Sequence, residues 1–219
     1  RGSGLSDWEV ADVSFETWVS DLEAVVTALG LGRFPLFALS QGGPVAIAYT
    51  VRHPEKVSHL ILHGSYARGW LERDLSEAQK EEEKMMLSLM RLGWGRDNPA
   101  FRQFFAAQLQ PDATREQLNA LDKLMRVSAT PENAARLEAE MHQIDVTALA
   151  PHVQVPTLII HPTQDAAVPF AEGKLLASLI PNATFVPLES RNHILTESEP
   201  AWQKFKHELR KFLGVDVNG

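Results

Sequence analysis

The segment from Phe34 to Pro44 constrains the fold of this chain more than any other part of the sequence. An apolar run at 34–39 precedes Ser40, and a glycine pair and a second apolar run follow it. This pattern predicts a strand that turns sharply into a helix and holds the Ser40 hydroxyl on a strained, open turn. The usual sequence of such a turn is Gly-x-Ser-x-Gly, and Ala38 replaces its first glycine. Because alanine is also small, we predict that Ser40 is a nucleophile at a strand-to-helix turn.

A candidate acid and a candidate base follow this serine along the chain. Asp165 comes after the β-branched run Val155–His161, and His193 comes after the short apolar run Thr184–Leu188. Both runs predict strands that continue into loops at the edge where open α/β sheets place their sites. The order serine, aspartate, histidine is one of the known chain orders of a catalytic triad. We therefore predict that Ser40, Asp165 and His193 form a triad.

Two other carboxylates are rivals of Asp165 for the role of the acid. Asp145 lies where the helical segment described below returns to the sheet. Glu189 is so close to His193 in sequence that its carboxylate reaches the far ring nitrogen only with difficulty. Asp165 is therefore the preferred acid.

Three further residues are candidates for contact with a substrate. His63 and His161 both end predicted strands at the same edge of the sheet, and Trp94 lies in a helical segment rich in large apolar residues. Such residues could line an acyl pocket, although they more often pack helices against a core. They are Met85, Met86, Met90, Trp94, Phe101, Phe104 and Phe105.

The first part of the chain predicts an α/β arrangement. A helix at 14–30 carries an apolar stripe at helical spacing, with Ser14 placed to cap its start and Gly30 to end it. Strands near 34–39 and 57–62 enclose a helix near 42–53. This β-α-β unit implies a parallel sheet.

A helical insertion interrupts the α/β pattern. From about residue 66 to 150 only helix patterns occur, near 80–92 and 101–109 and after the capping signals Thr114 with Gln117 and Thr130 with Pro131. Strand patterns resume at Val155, and 200–213 predicts a closing helix. We therefore divide the chain into a core at 1–65, an all-helical cap at 66–150 and a second part of the core at 151–219.

These features together resemble the α/β-hydrolase family along nearly the whole chain. Ser40 matches the nucleophile position of that family, Asp165 the acid position and His193 the base position. The run RGSGLSD at 1–7 resembles the family's Arg-Gly-x-Gly-x-Ser loop, and LILHG at 60–64 resembles its strand after the nucleophile helix. The runs HGSYAR at 63–68 and PLESRNH at 187–193 are similar to hydrolase modules that some bacterial regulators carry beside a DNA-binding or nucleotide-cyclase domain. We see no such second domain in this sequence.

The resemblance implies a serine esterase that needs neither a metal nor an organic cofactor. His193 would take the proton of Ser40 as the hydroxyl attacks an ester carbonyl, and Asp165 would orient the imidazole. The backbone N–H of Gln41 would donate to the oxyanion. A serine at this position argues against the dehalogenases and epoxide hydrolases of this fold, which use a carboxylate there.

The resemblance also implies sheet strands before residue 1, and a His-Gly-type loop with a second oxyanion donor, that are not in this sequence. The strand at 34–39 is therefore expected to be an uncovered edge. Either the chain is a fragment of a longer hydrolase, or a partner supplies the missing part of the sheet. If the chain exists alone, we expect it to self-associate through this strand, because uncovered edges pair with other chains.

The composition argues against several classes of function. The formal net charge of −7 is the opposite of a nucleic-acid footprint. No apolar run approaches the ~20 residues that span a membrane, and no signal peptide is visible. The absence of cysteine excludes disulfides, a thiol nucleophile and thiolate metal sites. We therefore expect a cytoplasmic protein that acts on a small molecule.

Two alternatives to an esterase stay open on the sequence alone. The chain could be a binding module in which the triad is idle and a small acyl or aromatic molecule lies under the cap. It could also use the triad for acyl transfer, carbon–carbon bond hydrolysis or perhydrolysis, because these reactions differ in the pocket and in the second nucleophile.

Overall fold

A computed structural model of the chain describes residues 1–215 and shows a parallel β-sheet flanked by helices. The strands are β1 (Phe34–Leu39), β2 (Val57–His63), β3 (Thr157–Pro162) and β4 (Ala183–Leu188). The helices are α1 (Phe15–Ala28), α2 (Gly42–Arg52), α3 (Glu77–Gly93), α4 (Ala100–Leu109), α5 (Arg115–Ser128), α6 (Pro131–Met141), α7 (Phe170–Leu179) and α8 (Pro200–Leu213). Short 3-10 turns lie at Trp70–Glu72 and Ala150–His152. The predicted α/β class and the parallel pairing are confirmed.

The strands lie in the order β1-β2-β3-β4, and every neighbouring pair is parallel. Parallel sheets bury both faces, so their strands are apolar on both sides. Leu60 and Ile159 pack on one face with α1, α2 and α7, whereas Ile61 and Ile160 pack on the other face with α8. Burial of each such side chain contributes about 1.5–3 kcal/mol. The carboxyl ends of all four strands therefore meet at one rim.

Several element boundaries differ from the sequence prediction. Helix α3 begins at Glu77, three residues before the predicted start at 80, and β3 begins at Thr157, two residues after Val155. Ser14 is the N-cap of α1, but its side chain makes no capping bond. The Glu140 carboxylate from α6 accepts the N–H of Phe15 in its place, at 2.6 Å. A tertiary contact thus replaces the local cap.

Helices α3–α6 follow one another between β2 and β3. The predicted capping box of Thr114 and Gln117 starts α5, and the Thr130 side chain caps α6. A second capping box, Ser76 with Gln79, starts α3 earlier than its apolar pattern suggested. Met90, Trp94 and Ala135 form a small core between these helices. The term "helical insertion" is used below for α3–α6.

The two chain segments that lead into and out of the helical insertion are bonded to each other. Val146 donates to the carbonyl of Ala67 at 2.9 Å, and Gly69 donates to Ile144 at 2.6 Å. Leu71 donates to the carbonyl of His142 at 2.9 Å. The close approach requires a glycine, because a Cβ on Gly69 would lie 2.5 Å from the His142 carbonyl oxygen. The base of the insertion is therefore fixed against the sheet rim.

Strand β1 lies at the outer edge of the described sheet, as expected from the sequence. The Phe37 side chain is 48% exposed there and touches the ring of Phe205 edge-on. Self-association through this edge stays a prediction. Within residues 1–215, no helix has both the length and the apolar character to cross a bilayer.

Candidate active site

Ser40 lies at the turn between β1 and α2 in a left-handed backbone conformation. Its φ angle is 54°, which non-glycine residues seldom adopt. The Ser40 N–H donates to the His63 carbonyl at 2.9 Å, and its carbonyl accepts the N–H of Gly43 at 3.0 Å. A Cβ on Gly43 would lie 1.6 Å from the Ser65 hydroxyl oxygen, so only glycine fits there. These contacts hold the strained turn in place, and strain of this kind marks functional sites.

Gln41 directly follows this serine as the N-cap residue of α2. Both residues line the cavity described below. The positive end of the α2 dipole therefore lies where an oxyanion on a Ser40 adduct would form. This position is suitable for the predicted backbone donor.

Asp165 is a fully buried carboxylate in the loop after β3. One oxygen, Oδ1, accepts the backbone N–H groups of Ala167 and Val168 at 2.9 and 2.8 Å. The other oxygen, Oδ2, accepts from Nδ1 of His193 at 2.8 Å. The loop thus fixes the carboxylate, and the carboxylate orients the imidazole.

The hydrogen bond to Asp165 decides the tautomer of neutral His193. Because Nδ1 carries the proton that it donates, Nε2 carries the lone pair and can act as a base. The Nε2 atom is buried and has no hydrogen-bond partner among the described residues, so the bond from the Ser40 hydroxyl is not formed in this structure. Catalytic hydrogen bonds in unliganded enzymes are often long and shorten only with substrate.

Gly64 separates the serine turn from the imidazole. It follows His63, whose carbonyl accepts from Ser40, and it has a φ of +53°. A Cβ on Gly64 would lie 2.9 Å from Cε1 of His193 and 3.4 Å from Oδ2 of Asp165. The three predicted triad residues are therefore brought to one part of the sheet rim, around the backbone of Gly64.

The rival carboxylates lie elsewhere. Asp145 accepts the backbone N–H and the hydroxyl of Thr147, and Glu189 accepts from the Thr163 hydroxyl at 3.4 Å. The carboxylate bonded to His193 is Asp165. The geometry therefore favours Asp165 over both rivals.

His63 and His161 lie behind this site, not on the cavity wall. The Nε2 atom of His63 bonds the carbonyl of His193 at 3.2 Å, and that of His161 bonds the carbonyl of Val168 at 3.0 Å. Both rings are almost fully buried. Burial lowers the pKa of His63 to about 4 and also lowers the pKa of His161. These neutral rings brace the loops of the base and the acid, so the structure does not support the predicted substrate contacts.

The loop that carries His193 is bonded to the helical insertion. The N–H of Ile194 donates to the Leu109 carbonyl at 3.1 Å, and the Asn192 side chain accepts the N–H of Asp112 at 3.0 Å. On the other side, Glu199 accepts from the Asn192 amide and from the N–H of Thr196. The position of the imidazole therefore depends on the end of α4 as well as on the sheet.

A cavity of about 370 Å³ opens at the serine, between the sheet rim and the helical insertion. Most of its wall is apolar, and Trp94 lines it, as its predicted role requires. The polar groups on the wall include Tyr66, Arg73 and Glu138. The lining residues from the helical insertion include Met90, Trp94, Phe105, Leu109, Met125 and Met141. A second cavity of about 400 Å³ adjoins it and shares Trp70 and Phe105.

Sequence reasoning missed Gly64, Arg73 and Asn192 at this site. The run HGSYAR had drawn attention to the loop that contains Gly64, but not to its contact with the imidazole. Nothing in the sequence distinguishes Arg73 from the many surface arginines of helical segments. Among the described residues, no group of three or more His, Cys, Asp or Glu side chains is arranged to hold a metal ion.

Comparison with known proteins agrees with this architecture. The family described as "Serine aminopeptidase, S33" matches residues 1–196. The AB hydrolase superfamily protein YisY of Bacillus subtilis is 28% identical over 203 residues, which are 88% of this chain and 72% of that protein. The chain belongs to this family of α/β-hydrolases.

Solved structures show the same fold. An esterase from Exiguobacterium antarcticum superposes with a TM-score of 0.84 over 98% of this chain and 79% of its own, and its 24% identity supports the fold alone. A thermophilic esterase from Thermogutta terrifontis is 28% identical, with a TM-score of 0.75 over 97% of this chain and 78% of its own.

Proposed function

We propose that this chain is a serine hydrolase that cleaves carboxylic esters through an acyl-enzyme on Ser40. The observation that carries the proposal is the buried 2.8 Å hydrogen bond from His193 to Asp165. This bond leaves Nε2 of His193 as a basic nitrogen at the same rim of the sheet as the strained turn of Ser40. The family, and the likeness to an esterase at 28% identity, support hydrolysis of an ester.

The proposed reaction has two halves. In the first, the Ser40 oxygen attacks the ester carbonyl while Nε2 of His193 accepts its proton, and the imidazolium then protonates the leaving alcohol. In the second, water gives a proton to the same nitrogen and attacks the acyl-enzyme. The bond to the serine oxygen then breaks, and the imidazolium returns its proton to that oxygen, which frees the acid and restores the serine. Asp165 stays ionised throughout and stabilises the imidazolium.

The oxyanion of each tetrahedral intermediate is assigned to the backbone N–H of Gln41. A single donor of this kind is typically worth about 10²–10³ in turnover. We also propose that residues 66–150 act as a cap over the serine, because the helical insertion forms much of the cavity wall. An apolar wall excludes water and favours an apolar acyl group.

Hydrolysis of p-nitrophenyl esters of increasing acyl length tests the proposal. The wild type is expected to turn over, and Ser40→Ala and His193→Ala are expected to lose nearly all activity. Asp165→Asn is expected to lose about 10⁴, because the asparagine stabilises the wrong tautomer. Near-normal rates in any of these variants would overturn the assignment of that residue. Amino-acid p-nitroanilides test the aminopeptidase activity that the family description names.

A non-catalytic binding module is the second candidate. The observation that favours it is the unpartnered, buried Nε2 atom of His193. A fluorophosphonate probe separates the two functions, because it labels only an activated serine. Labelling of the wild type but not of Ser40→Ala supports the hydrolase, and no labelling between about pH 6 and 9 supports the binding module.

A further inference from the structure

Arg73 is a cationic side chain on the wall of the cavity that opens at Ser40. It lies in the segment after β2, just before the helical insertion. The side chain is only 14% exposed, which is unusual for arginine outside a paired site. Its position allows one ligand to contact both this guanidinium and the serine.

The Arg73 side chain is held in place by its inner nitrogen and by its flat face. Nε donates to the carbonyl of Arg68 at 3.1 Å, and the guanidinium lies 5.7 Å from the centre of the Trp70 ring. An arginine fixed in this way keeps the planar fork of its outer nitrogens in one orientation. Among the groups that the structure describes, none is hydrogen-bonded to Nη1 or Nη2 of Arg73.

The nearby anionic charge is already committed to another cation. Glu172 is 98% buried, and its carboxylate accepts both the N–H and Nη2 of Arg68, at 3.1 and 2.9 Å. The nearest nitrogen of Arg73 is 3.8 Å from the same carboxylate, too far for a hydrogen bond. Two guanidinium groups thus share one buried carboxylate, and the shorter contacts are those of Arg68.

Burial makes the charge of the Arg73 guanidinium costly in the absence of a ligand. Desolvation lowers the pKa of Arg73 from its ordinary value, although an arginine stays protonated in proteins. The other acidic group on the wall, Glu138, is paired with Nε2 of His142 at 3.1 Å. A ligand that supplied an anion would satisfy the outer nitrogens of Arg73.

From this geometry we propose that Arg73 binds a carboxylate group of the substrate, and this inference rests on the proposed function. The preferred ester then carries a free carboxylate separated from the scissile carbonyl by a short apolar spacer. A guanidinium binds a carboxylate through two parallel N–H···O bonds, which fixes orientation as well as charge. The spacer would lie against the apolar wall that includes Met90 and Trp94. Arg73 is therefore the residue expected to determine specificity.

Matched pairs of esters test the proposal. Mono-p-nitrophenyl esters of succinate, glutarate and adipate are compared with the same compounds in which the free carboxylate is capped as a methyl ester. The wild type is expected to prefer at least one anionic ester in kcat/KM over its neutral counterpart. Arg73→Met is expected to lose roughly 10- to 100-fold on that anionic ester, the range of a hydrogen bond to a charged group, and little on the neutral one.

Two control variants separate this role from a general effect on the fold. Arg73→Lys keeps the charge but loses the fork, so it is expected to recover only part of the preference. Arg91→Met removes an exposed arginine of the helical insertion that pairs with exposed Glu132, and it is expected to leave the preference unchanged. The preference is also expected to persist at 1 M salt, where surface charges are screened within about 3 Å.

A binding measurement keeps the test independent of catalysis. Glutarate is expected to stabilise the wild type against thermal unfolding, and to do so less for Arg73→Met. If glutarate stabilises the wild type more than Arg73→Met but Ser40 does not react with a fluorophosphonate, the carboxylate-binding proposal stands and only the esterase proposal is refuted. Equal kcat/KM for the anionic and neutral esters, or glutarate stabilisation that is the same in Arg73→Met, would overturn the proposal.

Discussion

Replacement of Gly64 by alanine is expected to displace the imidazole of His193 while leaving most of the fold intact. The new Cβ would lie 2.9 Å from Cε1 and 3.0 Å from Nδ1 of His193. Carbon atoms normally approach to about 3.5–4.0 Å, so the ring must move by roughly 0.5–1 Å. The ring is held to Asp165 by a 2.8 Å hydrogen bond, and any such movement lengthens or bends it.

The size of the effect has two separable parts. Gly64 has a φ of +53°, and an alanine there costs about 1–2 kcal/mol of stability through backbone strain. The displacement of the imidazole is a further effect, because a misplacement of about 1 Å can cost 10²-fold in rate. Gly30→Ala is the matched control. Gly30 has a φ of +58°, and nothing lies within 4 Å of its Cβ position.

The assay pairs urea unfolding with the second-order rate of fluorophosphonate labelling at Ser40. Gly30→Ala is expected to lose the strain energy alone and to label within about twofold of the wild type, whereas Gly64→Ala is expected to label about 100-fold more slowly. A Gly64→Ala protein that is folded and labels as fast as Gly30→Ala would refute the placement of the imidazole against Gly64.

Three further predictions concern stability and association. Because the pKa of His63 is about 4 in the fold and near 6.5 in the unfolded chain, the unfolded chain binds more protons between these values, so stability falls as pH falls from 6.5 to 4. The contribution of His63 to this loss of unfolding free energy approaches roughly 3 kcal/mol. Urea titrations of His63→Gln should therefore show a smaller loss of stability between the two pH values. Arg102→Met should destabilise the helical insertion by about 3–5 kcal/mol, because it leaves the buried carboxylate of Asp122 without its ion-pair partner. The control Arg126→Met removes an exposed ion pair and should cost under about 1 kcal/mol. Calorimetry that finds similar losses of stability in the two variants would contradict this prediction. The 219-residue chain alone should self-associate in sedimentation velocity, and Phe37→Lys should reduce this association. A wild type that stays monomeric as its concentration rises would contradict the edge-pairing prediction.

Local signals were sufficient for the sheet and for the chain order of the candidate triad. The strand patterns near 34–39 and 57–62, and the runs before Asp165 and His193, fall on β1 to β4 because buried parallel strands have short apolar sequences with clear ends. The position of Ser40 follows from the glycines around it. The capping box of Thr114 and Gln117 was readable for the same reason, since it lies within four residues of sequence.

The interactions that sequence could not supply are those between distant segments. Phe15 and Glu140 meet across 125 residues, and Gly64 meets an imidazole 129 positions later only because β2 and β4 end at the same rim of the sheet. His63 and His161 were candidates for substrate contact because they end strands at the rim. Whether such a side chain lines the cavity or lies in the protein interior depends on tertiary packing, which no local sequence pattern indicates. The surroundings of Arg73 have the same origin, because the nearby Glu172 lies on a helix after β3.

The most direct measurement of the central claim is the mass of the protein after reaction with a fluorophosphonate, followed by peptide mapping. The account predicts a single adduct on Ser40 in the wild type, with labelling that is strongly slowed in His193→Ala. An adduct on another residue, or labelling of Ser40 at the same rate in His193→Ala, would contradict a serine that the buried histidine activates.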